Sequence, residues 1–436
     1  MRTLRRRSGL LSATLAMLVA AVAFVLAPAP RALAAGSGQS QVPDLPVITL
    51  RQGVAAAGTG LTAVPLDAEA YATNGRTMAP VRFTAEAFGA TVQWDPQRPK
   101  DVVILDGATR LQLTQGSATA YINGSPVTLD VPAEVKNNRT FVPIRFVSEA
   151  LKAQVFYEPE THTVVISRLG RAPTLTDLEY YTLQLINLDR LTNSLEPVAW
   201  DDTAARAGRR HAEEMARAGY FSHWGLDGQL PAYRYTQAGG TDEVAENLAK
   251  MWFEGGSDTS YPVPDFLRIV SQEDGLMHSP GHRANILNRA HTQAGVGLSA
   301  GASGSTYLAQ EFVNRYGAYD PLPLQAKPGQ AIRVSGTLDE GVQFFAVSLG
   351  RAGVSPMTVQ QLNATGPYSE PAPFASYFTA RYVTPRPVVV DGRHFQVDLA
   401  PDHLKDPGTY YVYIWATLDG GSDPVLVSGR TIAVSP

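Results

Sequence analysis

Hydrophobic and polar positions change rhythm several times along the chain. Residues 10–27 form an apolar run broken only by Ser12 and Thr14, placed behind Arg2, Arg5, Arg6 and Arg7. Two matched segments follow at an offset of 63 residues, NGRTMAPVRFTAEAFGATVQW (74–94) and NNRTFVPIRFVSEALKAQVFY (137–157). Each reads as an extended arm entering a short helix and then an alternating strand. The helix faces carry Phe83, Ala87 and Phe88 in one copy and Phe146, Ala150 and Leu151 in the other. Further strands are predicted at 101–105 and 163–167, with a hairpin over 118–129 that turns at Asn123-Gly124. From Leu175 the spacing becomes helical. Leu178, Tyr181, Leu185 and Leu188 mark a first helix, with Thr176 as its cap and Glu179 completing a capping box. Ala204, Ala207, His211, Met215 and Ala218 stripe a second helix that Gly219 ends. After about residue 318 the helical period stops, and strands are predicted at 331–336, 343–349, 393–399, 409–418 and 424–434.

These rhythms divide the 436 residues into four parts: a leader (1–34), a repeat region (48–168), a helical region (175–317) and an all-β region (318–436). Self-similarity at a fixed offset implies equivalent units that share one core. The basic start, the apolar run and Ala32-Leu33-Ala34 are the parts of a secretory signal peptide, so the mature chain is expected to begin at Ala35 or Gly36. The competing reading is an uncleaved anchor, since 18 apolar residues reach the lower limit for a membrane span. No second run of that length follows, so no transmembrane segment is expected after cleavage. Cysteine is absent, which excludes disulfides, iron–sulfur clusters, thiolate zinc sites and a cysteine nucleophile. Export without cysteine fits a bacterial protein. A formal charge of -4 gives no bulk attraction to nucleic acid, and none is expected as a partner.

The two arms at 74–94 and 137–157 resemble the copper amine oxidase N-terminal domain, a family in which the module is a stalk and copper chemistry belongs to a separate catalytic domain. That catalytic domain is not recognisable in this chain. Arg82/Glu86 and Arg145/Glu149 sit at i, i+4 spacing and read as surface ion pairs. Five ordered motifs follow: FSHWGLDG (221–228), AENLA (245–249), HSPGHRANILN (278–288), AGVGLS (294–299) and YLAQEFV (307–313). Their order and spacing resemble the CAP superfamily of cysteine-rich secretory, antigen 5 and pathogenesis-related 1-like proteins, in its cysteine-free, SCP-like bacterial branch. The resemblance implies an α-β-α sandwich and a shared cleft holding His223, Glu246 and His282. The family's second cleft glutamate has no counterpart: its place falls near Ser279, while Glu273 lies nine residues upstream of His282.

Two imidazoles and one carboxylate can hold a divalent metal such as zinc weakly, with open positions, can move protons, or can tie loops together. No HExxH spacing and no G-x-S-x-G elbow accompanies them. His211 lies on an apolar stripe and reads as a core histidine, and His278 and His291 receive no role. Ser279 before Pro280 reads as a helix cap. Tyr410, Tyr411, Tyr413 and Trp415 read as core packing rather than a carbohydrate-binding face. The chain is therefore expected to be multidomain, with α+β stalk repeats, an α-β-α CAP domain and an immunoglobulin-like β-sandwich. The expected role is that of an exported cell-envelope protein whose CAP domain binds a cell-wall polymer, lipid or surface protein without catalysis. Two alternatives remain: a metal-assisted hydrolase of an envelope polymer or peptide, and a secreted lipid- or sterol-binding protein.

Overall fold

The computed structural model describes residues 45–251, 265–301, 304–381 and 383–436. The leader and its Ala32-Leu33-Ala34 site lie outside the described residues. Among the described residues, no helix is long and apolar enough to cross a membrane.

Asn74-Gly75 and Asn137-Asn138 all take positive φ, the left-handed geometry that reverses a chain within two residues. Each turn launches a strand, Arg76–Pro80 or Arg139–Pro143, whose final proline becomes the cap of a short helix, Val81–Glu86 or Ile144–Ala150. The two strands pair antiparallel with Val142 opposite Ala79, its own equivalent in the repeat. The copies therefore meet about a local twofold. Val81, Ala85, Val142, Val147 and Leu151 enter one apolar cluster, so the repeats share a core as expected. The 118–129 hairpin turns at Asn123-Gly124 with both residues at positive φ. Arg82–Glu86 (3.3 Å) and Arg145–Glu149 (3.6 Å) are exposed ion pairs.

Helix α1 (Leu175–Thr192) is capped by Thr174, not Thr176; the capping box closes with Asp177, whose backbone N–H donates to the Thr174 hydroxyl. The helix is buried nearly all round because the repeat region packs on one side of it. Leu45, Val47 and Val165 join Tyr181, Leu185 and Ile186 in one cluster. Gln184 donates to the carbonyls of Val47 (2.9 Å) and Gly60 (3.0 Å), and Arg51 pairs with the buried Asp189. The repeat region is thus seated on the central region rather than hinged to it.

The central region continues with β1 (Ala199–Trp200), α2 (Asp202–Ala218), α3 (Pro231–Gln237), β2 (Glu243–Met251), α4 (Asp265–His278), α5 (Pro280–Ile286), β3 (Gln293–Ala300) and β4 (Thr306–Asn314). Its sheet has the order β1-β3-β4-β2. Alternation along β3 sends Ala294, Val296 and Leu298 into the cluster with α1 and α4. Gly295 and Gly297 face α2, so closely that a Cβ on either would strike helix backbone at about 2 Å.

Beyond residue 317 two sheets, of four and five strands, bury a common apolar cluster. Strand Gly408–Leu418 serves two cores by its pleat. Tyr410, Val412 and Ile414 enter the C-terminal cluster, whereas Tyr411 and Tyr413 pack on Ala204, Ala207, Tyr235 and Val244 of the central region. Burial of these tyrosines removes them from any exposed glycan-binding face. An arm between strands Val342–Ala352 and Ala375–Tyr377 reaches back over the central region, where Met357 and Leu362 pack against Met215, Tyr220 and Leu248. The described residues form one compact unit.

Candidate functional site

Helix α2 ends at Gly219 in the left-handed conformation (φ 76°), which lets the chain turn back sharply. The loop that follows is pinned from below. His211, 1% exposed, hydrogen-bonds the Ser222 carbonyl through Nε2 (2.8 Å), and Arg234 donates to the His223 carbonyl (2.9 Å). This sets the His223 ring beside β2, where its Nδ1–H donates to Glu246 Oε1 (2.7 Å). Arg234 Nη2 donates to Glu246 Oε2 (2.6 Å), so both carboxylate oxygens are engaged. His282 comes from α5, on the opposite side of β2. Asn247 donates to its carbonyl (3.1 Å), and its own Nδ1 is buried without a partner.

His223, Glu246 and His282 line one cavity of about 780 Å³, together with Ala245, Asn247 and Leu248 of β2. Sequence reasoning missed the fourth wall: Thr365, Gly366, Pro367 and Tyr368 of the C-terminal arm. Tyr368 lies 4.7 Å from the His223 ring, centroid to centroid, and its hydroxyl accepts from the Glu246 N–H (3.0 Å). Thr365 and Ser222 share a hydrogen bond of 2.7 Å. Nothing in the 365–368 sequence marks it as cleft lining, because its position depends on how two domains dock.

Burial would raise the Glu246 carboxyl, but the Arg234 guanidinium, aided by His211 and His223, outweighs it and holds the group well below the usual carboxylate range. Glu311 stands directly opposite on β4, 1% exposed. Burial and the neighbouring Glu246 charge raise it well above that range. His282 is lowered by burial and by the nearby His223. His211 and His291 are each pushed down to about 4, chiefly by burial, and stay neutral at physiological pH.

Glu273 does not line the cavity. It is fully buried beneath the sheet, where Gln310 donates to it, so it is not a second cleft glutamate. Ser279 does line the cavity and occupies the N-cap position of α5, with Pro280 first in the helix, but its side chain makes no capping hydrogen bond. His291, given no role by its sequence context, bridges Asn314 (2.7 Å) and Asn285 (2.9 Å) in a buried network under the cleft. Among the described residues, no group of three His, Asp or Glu side chains is placed to hold a metal ion. With its oxygens given to His223 and Arg234, Glu246 is not free to serve as a third ligand.

Where the arm leaves the cleft, Glu370 meets Glu243 at the seam with β2. Each has a buried oxygen without a donor. Burial, then the Glu370 charge, raises Glu243 well above the usual range, and burial pushes Glu370 up to about 7. A carboxyl that holds its proton more tightly when folded carries no penalty below the unfolded value of 4.5 and the full penalty above about 7. Glu370→Gln is therefore expected to stabilise the protein by roughly 2–3 kcal/mol at pH 8 and by almost nothing at pH 4. Urea unfolding at the two pH values checks this; equal midpoint shifts at both would refute it.

Residues 183–312 match the family model described as the cysteine-rich secretory protein family (CAP), and residues 60–166 match the copper amine oxidase N-terminal domain. The chain therefore carries a CAP domain behind a copper amine oxidase N-terminal domain. It is 28% identical over 141 residues to the uncharacterised membrane protein YlbC of Bacillus subtilis, covering 32% of this chain and 36% of that one. It is 27% identical over 137 residues to the uncharacterised protein YkwD of the same organism, covering 31% and 47%. A 76-residue stretch is 33% identical to the primary amine oxidase of Klebsiella aerogenes, covering 17% and 10%. The chain thus spans less than half the length of each of these relatives. Among solved structures it is similar to an extracellular SCP-domain protein of Bacillus anthracis (17% identity, 54% of this chain and 93% of that one, TM-score 0.29). It is also similar to an outer surface protein of Borrelia burgdorferi (19% identity, 31% and 89%, TM-score 0.25).

Proposed function

We propose that the protein is exported and acts at the bacterial cell envelope, where the cleft of its CAP domain binds a ligand or partner without catalysing a reaction. The observation that carries this reading is the cavity of about 780 Å³ that His223, Glu246, His282 and the C-terminal arm line together. Its volume is that of a ligand site. Glu246, the obvious general base, is spent on Arg234 and His223, which favours binding over turnover. The basic and apolar leader supports export. In this reading the repeat domain is a rigid spacer, and the C-terminal sheets, taken as an immunoglobulin-like sandwich, brace the arm over the cleft. The ligand class is a cell-wall polymer, a lipid or a surface protein.

A second reading, weak binding of a divalent metal such as zinc, is favoured by the orphaned Nδ1 of His282. His223 and His282 would hold the metal, and Glu246 would orient the His223 ring from behind, as second-layer carboxylates do. One experiment addresses both readings: cosedimentation of the mature chain with purified cell-wall sacculi, with and without added zinc, for wild type and His223→Ala/His282→Ala. Binding lost in the double variant is expected. Binding that also depends on zinc at pH 7.5 would favour the metal reading. Equal sedimentation of both proteins in every condition would reject the cleft. Turnover of any wall fragment, abolished by Glu246→Gln, would replace binding with the hydrolase reading.

A further inference from the structure

We propose that the cleft takes an extended peptide, paired as an added strand along the outer edge of β2, where it lines the cavity. The proposal rests on reading this cavity as the binding site and names its ligand class. Strand β2 is the last in the order β1-β3-β4-β2, so β4 pairs with one side of it only. Backbone N–H and C=O groups of an antiparallel strand point alternately toward its neighbour and away from it. Glu246 donates its N–H to Tyr368 on the arm, so Glu246 belongs to the outward set, and so does Leu248 two residues on. Among the described residues, the outward N–H and C=O of Leu248 meet no partner. Both residues line the cavity, with the arm forming the facing wall.

Unpaired backbone groups inside a groove are costly unless an occupant brings matching donors and acceptors. Along a strand they recur every second residue, about 6.6–6.8 Å apart. A polypeptide repeats the same pattern at the same interval, and glycan hydroxyls and acyl chains do not. The Tyr368 hydroxyl already accepts at one rung, as a peptide carbonyl would. His223 bonds the side chain of Glu246 and the His282 carbonyl accepts from the side chain of Asn247, and neighbouring side chains leave a strand on opposite faces. Alternate side chains of an added strand would therefore meet one imidazole or the other, so main-chain pairing would supply affinity and the imidazoles selectivity.

The test uses the full mature chain immobilised against acetylated, amidated hexapeptides randomised at every position. A selected hexapeptide is then resynthesised with N-methyl groups on alternate residues, in both phases. Methylation in the ladder-facing phase is expected to weaken binding at least tenfold, and in the other phase less than about twofold. In protein labelled with 15N-leucine, the Leu248 amide signal should move on binding. If both phases weaken equally, or no hexapeptide is enriched, strand addition is wrong. An N-acetylglucosamine trimer serves as the second probe. If it moves the Leu248 signal while no peptide is enriched, the peptide inference falls and the cleft remains a binding site. If neither probe binds, the peptide inference falls, and the sedimentation experiment decides whether the cleft is a binding site.

Discussion

Gly297→Ala is expected to abolish the native fold of the central region, at a cost above about 4 kcal/mol, the extreme tail for a single substitution. The added Cβ would lie 2.0 Å from the Arg209 nitrogen and 2.2 Å from the Gly208 carbonyl carbon, both backbone atoms of α2. No rotamer change relieves such a clash; the helix itself must lift off the sheet. Lifting it would also carry away His211 and Gly219, which aim the loop that bears His223. Far-UV dichroism and urea unfolding would read the loss. Gly275→Ala is the control: it lies within helix α4, and a Cβ there meets nothing within 4 Å. That change is expected to stabilise by up to about 1 kcal/mol through helix propensity. A Gly297→Ala protein with the wild-type midpoint would mean that α2 is not seated flush on β3.

Arg234→Met is expected to cost about 3–5 kcal/mol at pH 7.5, the usual penalty for stranding a buried charge. Arg234 is the cation that Glu246 contacts at 2.6 Å, with side-chain exposures of 12% and 0%. Glu311 faces the same pocket of charge from β4. In the wild type Arg234 depresses the Glu246 carboxyl, so its stabilisation is present above the ordinary carboxylate range and lost as pH falls through and below it. Without the guanidinium that depression disappears, and Glu246 regains its proton as the solution is acidified. The deficit should therefore be largest near neutrality and shrink toward pH 4. Adding Glu246→Gln should restore more than half of the lost stability, which a double-mutant cycle measures. An additive cycle, or a deficit independent of pH, would show that the pair is not coupled as the geometry implies.

The elements that local sequence could specify are those whose cause is local. NGRT and NNRT dictate positive-φ turns, Asn123-Gly124 a hairpin, Gly219 a helix end, and period-2 runs the C-terminal strands, because turn geometry and pleat act within a few residues. The repeat offset also sufficed to show a shared core, since equivalent apolar positions in two copies must be buried by each other. The cap of α1 was misplaced where two threonines each stand three residues before an acid: Thr174 with Asp177, and Thr176 with Glu179. Only the folded helix selects between them, and it keeps Glu179 buried with Arg209.

The motif order at FSHWG, AENLA and SPGHR carried the resemblance that implied a shared cleft, and His223, Glu246 and His282 line one cavity. It was silent about the state of Glu246, because its partner Arg234 lies in no motif and reaches it by the docking of α3 beside β2. It was equally silent about Tyr368, 122 residues beyond Glu246 in the chain. Composition and periodicity determined that this is a multidomain, cysteine-free, strand-rich protein; the histidine cleft came only from what the resemblance of its motifs to the CAP family implies. Tertiary structure alone decided that the repeat domain is seated on α1, that Tyr411 and Tyr413 fasten the C-terminal sheets to the CAP domain, and that the C-terminal arm walls the cleft. The physical reason is that burial between domains depends on which surfaces meet, and hydrophobic spacing along one segment shows that a face will be covered without showing by what.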